Sequence, residues 1–293
     1  MTRCGWFLLL LVSAGLLAGV VACSGSGGAS GSGRALDDDG ALDDDDNDDN
    51  DNDDDNDNDA SPVDDDDDND ASPPSLTTAA GDVYRFDPSF ALLAGAAVTV
   101  VEQPDLPPAI SDANGHFAID NVYAGVETTF LATDAAFFPT QTATVVLPPE
   151  GLNNLTVQTP PRVVVWLIAL TLLTALDPQQ CQIAATVSDG DTPNTPGIAG
   201  ATVTIEPPVD AASGPFYFEF VDLPNLPAID IPVRGLTETT GDGGVIFVNV
   251  PPGDYLLTAA KPGTTFTPAH IRCRPGVLVN ASPPYGLQEM PAH

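Results

Sequence analysis

Beyond Pro74 the chain alternates short β-branched runs with Pro and Gly, and one such pattern occurs twice. Leu93-Ala94-Gly95-Ala96-Ala97-Val98-Thr99-Val100 returns, 105 positions on, as Ile198-Ala199-Gly200-Ala201-Thr202-Val203-Thr204-Ile205. Asp112-Ala113-Asn114-Gly115-His116-Phe117-Ala118-Ile119-Asp120-Asn121-Val122 returns, 128 positions on, as Thr240-Gly241-Asp242-Gly243-Gly244-Val245-Ile246-Phe247-Val248-Asn249-Val250. Ala124-Gly125 is then answered by Pro252-Gly253. Chance can produce either match alone. Both in the same order indicate a duplicated module, with an insertion of 23 residues between the matched pieces of the second copy.

The pieces have a mechanical meaning. Ala-Gly-Ala-x-Val-x-Val is a turn followed by an alternating strand whose valines face a core. Asn114-Gly115 and Asp242-Gly243 are tight-turn pairs, because Gly accepts positive φ and the Asn or Asp side chain can bond its own backbone. Phe-x-Ile and Val-x-Phe alternations open the next strand, and Gly125 and Gly253 make the following turn. Short strands at this spacing predict small antiparallel sandwiches.

At these residues the chain resembles the carboxypeptidase regulatory-like, or prealbumin-like, β-sandwich family. That pattern runs Gly-Ala-x-Val-x-Val, then Thr-Asp-x-x-Gly-x-Phe-x-Ile, then Pro-x-Gly-x-Tyr. The second copy keeps the last element as Pro251-Pro252-Gly253-Asp254-Tyr255, whereas the first departs from it with Tyr123-Ala124-Gly125-Val126-Glu127. The resemblance implies a mainly β protein with two small antiparallel β-sandwich modules, residues 78–149 and 180–285. Its motifs speak of fold and are silent on activity; in the family the module is an accessory.

Between the copies, residues 163–176 are almost wholly apolar and bracketed by Pro160-Pro161 and Asp177-Pro178. Fourteen residues are short for a bilayer span of about 20. Within a linker at 150–179 they predict one helix buried between the modules; a partner-binding or membrane-dipping segment is the alternative. The Pro-rich run after Ser282 is expected to fray.

The N-terminus reads as an export signal, residues 1–22, with Arg3 ahead of an apolar stretch from Trp6 to Val21. Val20-Val21-Ala22-Cys23 resembles the lipobox of bacterial lipoproteins. The resemblance implies that Cys23 is acylated and becomes the first residue of the mature chain. Ser24 after it implies the outer membrane of a Gram-negative cell. An ordinary secretory signal or N-terminal membrane anchor is the other reading. Two or more acyl chains hold a protein stably where one does so only marginally.

Charge then explains residues 23–75. The chain carries 42 Asp+Glu against 8 Lys+Arg, a formal net charge of −34, and 21 of the aspartates fall within residues 37–70. A Ser/Gly run followed by alternating Asp and Asn has no apolar surface to bury, so a disordered, self-repelling tether is expected. No basic stripe exists to neutralise phosphates, which excludes nucleic acid as a partner. Weak divalent-ion association with the stalk is expected, but Asp51-Asn52-Asp53-Asp54-Asp55-Asn56 lacks the Gly and Glu of an EF-hand loop.

Few residues suggest chemistry. His116, His270 and His293 stand in no zinc-protease spacing, and neither a Gly-x-Ser-x-Gly elbow nor a phosphate-cradling loop occurs. No catalytic residue, metal site or cofactor is expected, and the chain is read as non-enzymatic. With Cys4 removed and Cys23 acylated, Cys181 and Cys273 remain, most simply as a disulfide in an exported protein, with two free thiols as the alternative. Phe216-Tyr217-Phe218-Glu219-Phe220 lies in the region of the insertion. Phe216, Phe218 and Phe220 share one strand face and Tyr217 the other, either as a strand covering a core or as an exposed aromatic platform for sugar or peptide. The leading function is a lipid-anchored surface protein displaying two modules for structural or adhesive contact. A glycan- or peptide-binding lipoprotein of an outer-membrane uptake system is the alternative, and ion sequestration by the stalk a third.

Overall fold

A computed structural model describes residues 74–86, 90–190, 195–221 and 229–291. The leader, Cys23 and the acidic tether lie outside these residues, as does His293. Nine strands form the first module: β1 (Leu76–Arg85), β2 (Ala97–Val100), β3 (Ala109–Ile110), β4 (His116–Tyr123), β5 (Glu127–Thr128), β6 (Phe130–Thr133), β7 (Thr140–Thr142), β8 (Val145–Val146) and β9 (Leu152–Thr159). Helix α1 (Arg162–Thr171) follows. The second module holds β10 (Cys181–Ser188), β11 (Thr202–Glu206), β12 (Phe216–Val221), β13 (Ile229–Val233), β14 (Gly244–Val250), β15 (Gly253–Ala260), β16 (Ala269–Cys273), β17 (Leu278–Ala281) and β18 (Leu287–Gln288). The protein is mainly β, as its alternating valines predict.

The duplication is visible bond by bond. β1 pairs antiparallel with β4 and parallel with β9; β10 pairs antiparallel with β14 and parallel with β17. Facing these, β2 pairs with β6 and β6 with β7, while β11 pairs with β15 and β15 with β16. Leu93 N–H donates to the Val83 carbonyl and Ile198 N–H to that of Val187, each at 2.8 Å. The Ser111 hydroxyl takes the Ala96 N–H and gives to the Leu93 carbonyl; the Thr239 hydroxyl does the same for Ala201 and Ile198. Both copies carry a register irregularity early in their first strand. Opposite it, Asn121 (φ 64°) and Asn249 (φ 52°) take the left-handed conformation that Asn tolerates at a bulge.

Each module has its own core, built on Val98, Phe117, Ile119, Phe130 and Leu155 in the first and on Ile183, Val203, Tyr217, Phe247, Leu257 and Ile271 in the second. The insertion supplies β12 and β13, which extend the second module's sheet beyond β14. In the first module β3 lies along β2; in the second the Tyr217 hydroxyl crosses the sandwich and accepts the Val203 N–H of β11 at 2.9 Å. A side chain thus takes over from a missing strand.

Three expectations are corrected. Residues 152–159 are not linker but β9, which completes the first module's sheet alongside β1. Helix α1 is not wedged between the modules. It lies on the outer face of the second module's sheet, where Leu172 and Ile168 pack with Phe216, Phe218, Ile246 and Val248. Its end is held by Arg234, whose guanidinium donates to the Leu172 carbonyl at 2.6 Å, a cation at the negative end of the helix dipole. The segment after Ser282 does not fray in the structure: Leu287 is fully buried and β18 pairs with β10.

The helix stops in an unusual way. Thr174 N–H bonds the Ala169 carbonyl and Leu173 N–H that of Leu170, the bonding of a Schellman motif, but its left-handed position is filled by Leu173 at φ 48°. Glycine is the ordinary residue there, and Leu173 is 84 % exposed. Leu173→Gly is expected to raise stability by about 0.5–1 kcal/mol, read from denaturant midpoints. A fall in midpoint would show that the leucine is held by contacts.

Candidate functional site

The most elaborate polar construction in the described residues is the junction of the two modules. β17 pairs in parallel with β7, so one sheet runs β13-β12-β14-β10-β17-β7-β6-β2-β3 across both. Neither copy's hydrophobic pattern announces this pairing. Glu102, just past β2, lies at its centre. It accepts the Thr129 N–H at 2.7 Å, Arg274 at 2.6 Å and Arg272 at 3.1 Å. Arg272 also reaches Glu127 and Asp254, each at 2.9 Å. Gln141 on β7 donates to the Arg272 carbonyl at 2.6 Å and accepts from Arg274 at 3.2 Å. Tyr285 packs on the first module's core and donates to Asn154 at 2.7 Å. This is a latch: its charges are spent on one another.

The residues singled out from sequence are dispersed. Phe216, Tyr217 and Phe218 are buried, and Phe220 alone of the four is exposed, at 63 %. An exposed aromatic platform is therefore not formed, and β12 is instead a strand that covers a core. The sheet has two covered faces here, α1 on the Phe216 and Phe218 side and the sandwich core on the Tyr217 side. Cys181 and Cys273 are joined in a disulfide that links β10 to β16, across the second sandwich. His116 stands 3.1 Å from Asp82 at the surface, and His270 is exposed on β16. Among the described residues no group of three or more His, Cys, Asp or Glu is placed to hold a metal ion. No helix among them is long and apolar enough to cross a membrane.

Two features escaped the sequence reading. At the Asp242-Gly243 turn the Asp242 carboxyl accepts the Gly244 N–H at 3.1 Å and shares a hydrogen bond with Asp230 on β13. Burial, and then the Asp242 charge, push Asp230 up to about 7. A carboxyl with a raised folded pKa contributes stability that is fully present below its ordinary value and lost as pH rises through about 7. Solvent reaches Asp230, so screening reduces the effect to about 1–2 kcal/mol. Unfolding at pH 5.5 and 8 should show that loss in the parent chain and a flatter profile in Asp242→Asn; equal slopes would refute the shared proton. The second feature is an open groove of about 760 Å³ beside β11 and β15, lined by Thr202, Glu238, Thr258, Lys261 and Phe266 among others. A lone lysine in so acidic a chain was the available signal.

No family model matches the chain, and no curated protein does either. Solved structures give distant likenesses. The Bacillus anthracis TIE protein is 13 % identical with a TM-score of 0.25, over 74 % of this chain and 34 % of that one, so the chain spans about a third of it. GBS52, the minor pilin of Streptococcus agalactiae, is 8 % identical with a TM-score of 0.24, over 75 % of this chain and 98 % of that one. A candidate carbohydrate-binding protein of Bacteroides uniformis is 12 % identical with a TM-score of 0.25, over 68 % and 97 %. Likenesses this distant carry no argument about role, which has to come from the chain's own geometry.

Proposed function

We propose that this is a non-enzymatic cell-surface protein, anchored through acylated Cys23 in the outer membrane, that displays two prealbumin-like modules on an acidic tether for structural or adhesive contact. One observation carries the reading: the two modules share a single sheet through β7 and β17 and are latched by Glu102, Arg272 and Arg274. With Arg272 and Arg274 both on Glu102 and β7 bonded to β17, the two bodies are joined stiffly. A stiff head suits the bearing of contact forces.

Residues 24–75 allow an upper reach of about 170–190 Å, long enough for the head to stand clear of a membrane. Residues 37–70, with their 21 aspartates, would keep that tether extended and repel other anionic surfaces. Any divalent ions condensing on it would shorten it without making a site.

The anchor is tested by expressing the parent and Cys23→Ser chains in a Gram-negative host. Intact-mass spectrometry should show an acylated chain starting at Cys23, in the outer-membrane fraction, and the variant should be unlipidated and soluble. A variant that stays in the membrane fraction contradicts the lipid anchor.

A further inference from the structure

The groove beside β11 and β15 has features that the latch does not. Its rim is the turn Lys261-Pro262-Gly263-Thr264, in which Gly263 has φ 79° and Thr264 N–H returns to the Lys261 carbonyl at 3.1 Å. Pro then Gly at the two central positions is the pattern of a type II turn, which fixes where Lys261 leaves β15. Lys261 is the only lysine of the chain. Each described arginine is engaged: Arg85 over the Phe137 ring, Arg162 on the Ala135 carbonyl, Arg234 on that of Leu172, and Arg272 and Arg274 on Glu102. Among the described residues, Lys261 is the basic side chain left without a hydrogen bond or ion pair. In a chain of net charge −34, a cation without a partner is conspicuous.

The rest of the lining narrows the chemistry. Glu238 lines the same groove, so its one cation and one anion balance. A polyanion would meet that neutral groove on a strongly acidic protein and be repelled. An extended peptide would need a free strand edge, and the start of the β11 edge is covered. Ala201 bonds Thr239 through both its N–H and its carbonyl, and the Val203 N–H goes to Tyr217. What remains is side-chain recognition by an ammonium donor, a carboxylate acceptor, the hydroxyl-bearing Thr264 and Thr265, and apolar surface from the exposed Pro262 and Pro268. A molecule with many hydroxyls, no net charge and apolar C–H faces answers each of these.

We propose that this groove binds a neutral oligosaccharide, with Lys261 donating to sugar oxygens and Glu238 accepting from sugar hydroxyls. The site is distinct from the aromatic strand β12. It rests on the surface-contact reading for its biological meaning, but its test does not involve the anchor.

A single lysine makes the experiment direct. The full mature chain, in detergent and carrying ¹³C-lysine, gives one side-chain signal, that of Lys261. It is titrated with cellohexaose, maltohexaose, mannohexaose and xylohexaose, and separately with hexagalacturonate and a Thr/Val-rich decapeptide. At least one neutral hexasaccharide should shift the signal saturably with a Kd of about 0.1–1 mM. Lys261→Met and Glu238→Gln, followed by calorimetry, should each weaken binding by about tenfold or more at unchanged melting temperature. The proposal is overturned if no neutral hexasaccharide saturates by about 10 mM, if Lys261→Met binds as tightly as the parent, or if hexagalacturonate or the peptide binds more tightly than all four. None of those results would disturb the outcome for Cys23→Ser, so the two readings fail separately.

Discussion

Replacing Cys181 and Cys273 together by alanine should cost the second module about 4–5 kcal/mol. The two cysteines are 92 positions apart, with Cα atoms 5.8 Å apart, and both are buried. Linking them removes the closure entropy of almost the whole module from the unfolded chain, a term that grows slowly with loop length. The bridge belongs to the second copy alone. At the position of Cys181, opposite Val250, the first copy has Thr77 opposite Val122. Denaturant unfolding of the double variant, with and without reductant, measures the effect. A loss below about 1 kcal/mol would mean that the sandwich core holds the module and the bridge is incidental.

Glu102→Gln should loosen the junction by roughly 2–4 kcal/mol, because it leaves two guanidinium groups facing a neutral amide in a site only partly open to water. The side chains of Glu102, Arg272 and Arg274 are 21 %, 31 % and 25 % exposed. Burial works against the Glu102 charge, but the hydrogen bonds from Thr129 and Arg274 outweigh it and hold the carboxyl below its ordinary 4.5. A depressed folded pKa means that the stabilisation is present above the ordinary value and is lost as pH falls through the folded one. Acid and the substitution should therefore act alike. Amide hydrogen exchange by mass spectrometry should show β7 and β17 losing protection while the strands of Phe117 and Ile183 keep theirs. Uniform loss across both modules would mean that Glu102 supports a whole core rather than the seam.

How much of this was legible beforehand follows from the range of the interactions. Turn glycines and alternating valines act within a few residues. Gly115 and Gly243, both at positive φ, and the strands that follow them are therefore readable from the pattern, and so is the duplication. The cysteine pair was readable by elimination. What failed involves partners far apart in sequence. The β7–β17 pairing joins residues more than a hundred positions apart, and the polar strand β9, Leu-Asn-Asn-Leu-Thr-Val-Gln-Thr, has no clean alternation because it is half covered. That Phe216 and Phe218 cover a core was one of two readings open from the alternation, but nothing local says that α1 is what lies across them. The groove escaped for the same reason: Lys261 and Glu238 line one groove only once β11 and β15 have paired.

The shared sheet also has a consequence for handling the protein. In a chain cut anywhere between α1 and β10, β7 would keep its bond to β6 but lose its other neighbour, leaving a row of unanswered amide and carbonyl groups. Naked strand margins of that kind recruit other chains and seed aggregation. The first half is thus no free-standing building block, and during synthesis it would stay sticky until the last strands of the second half emerge to cover it.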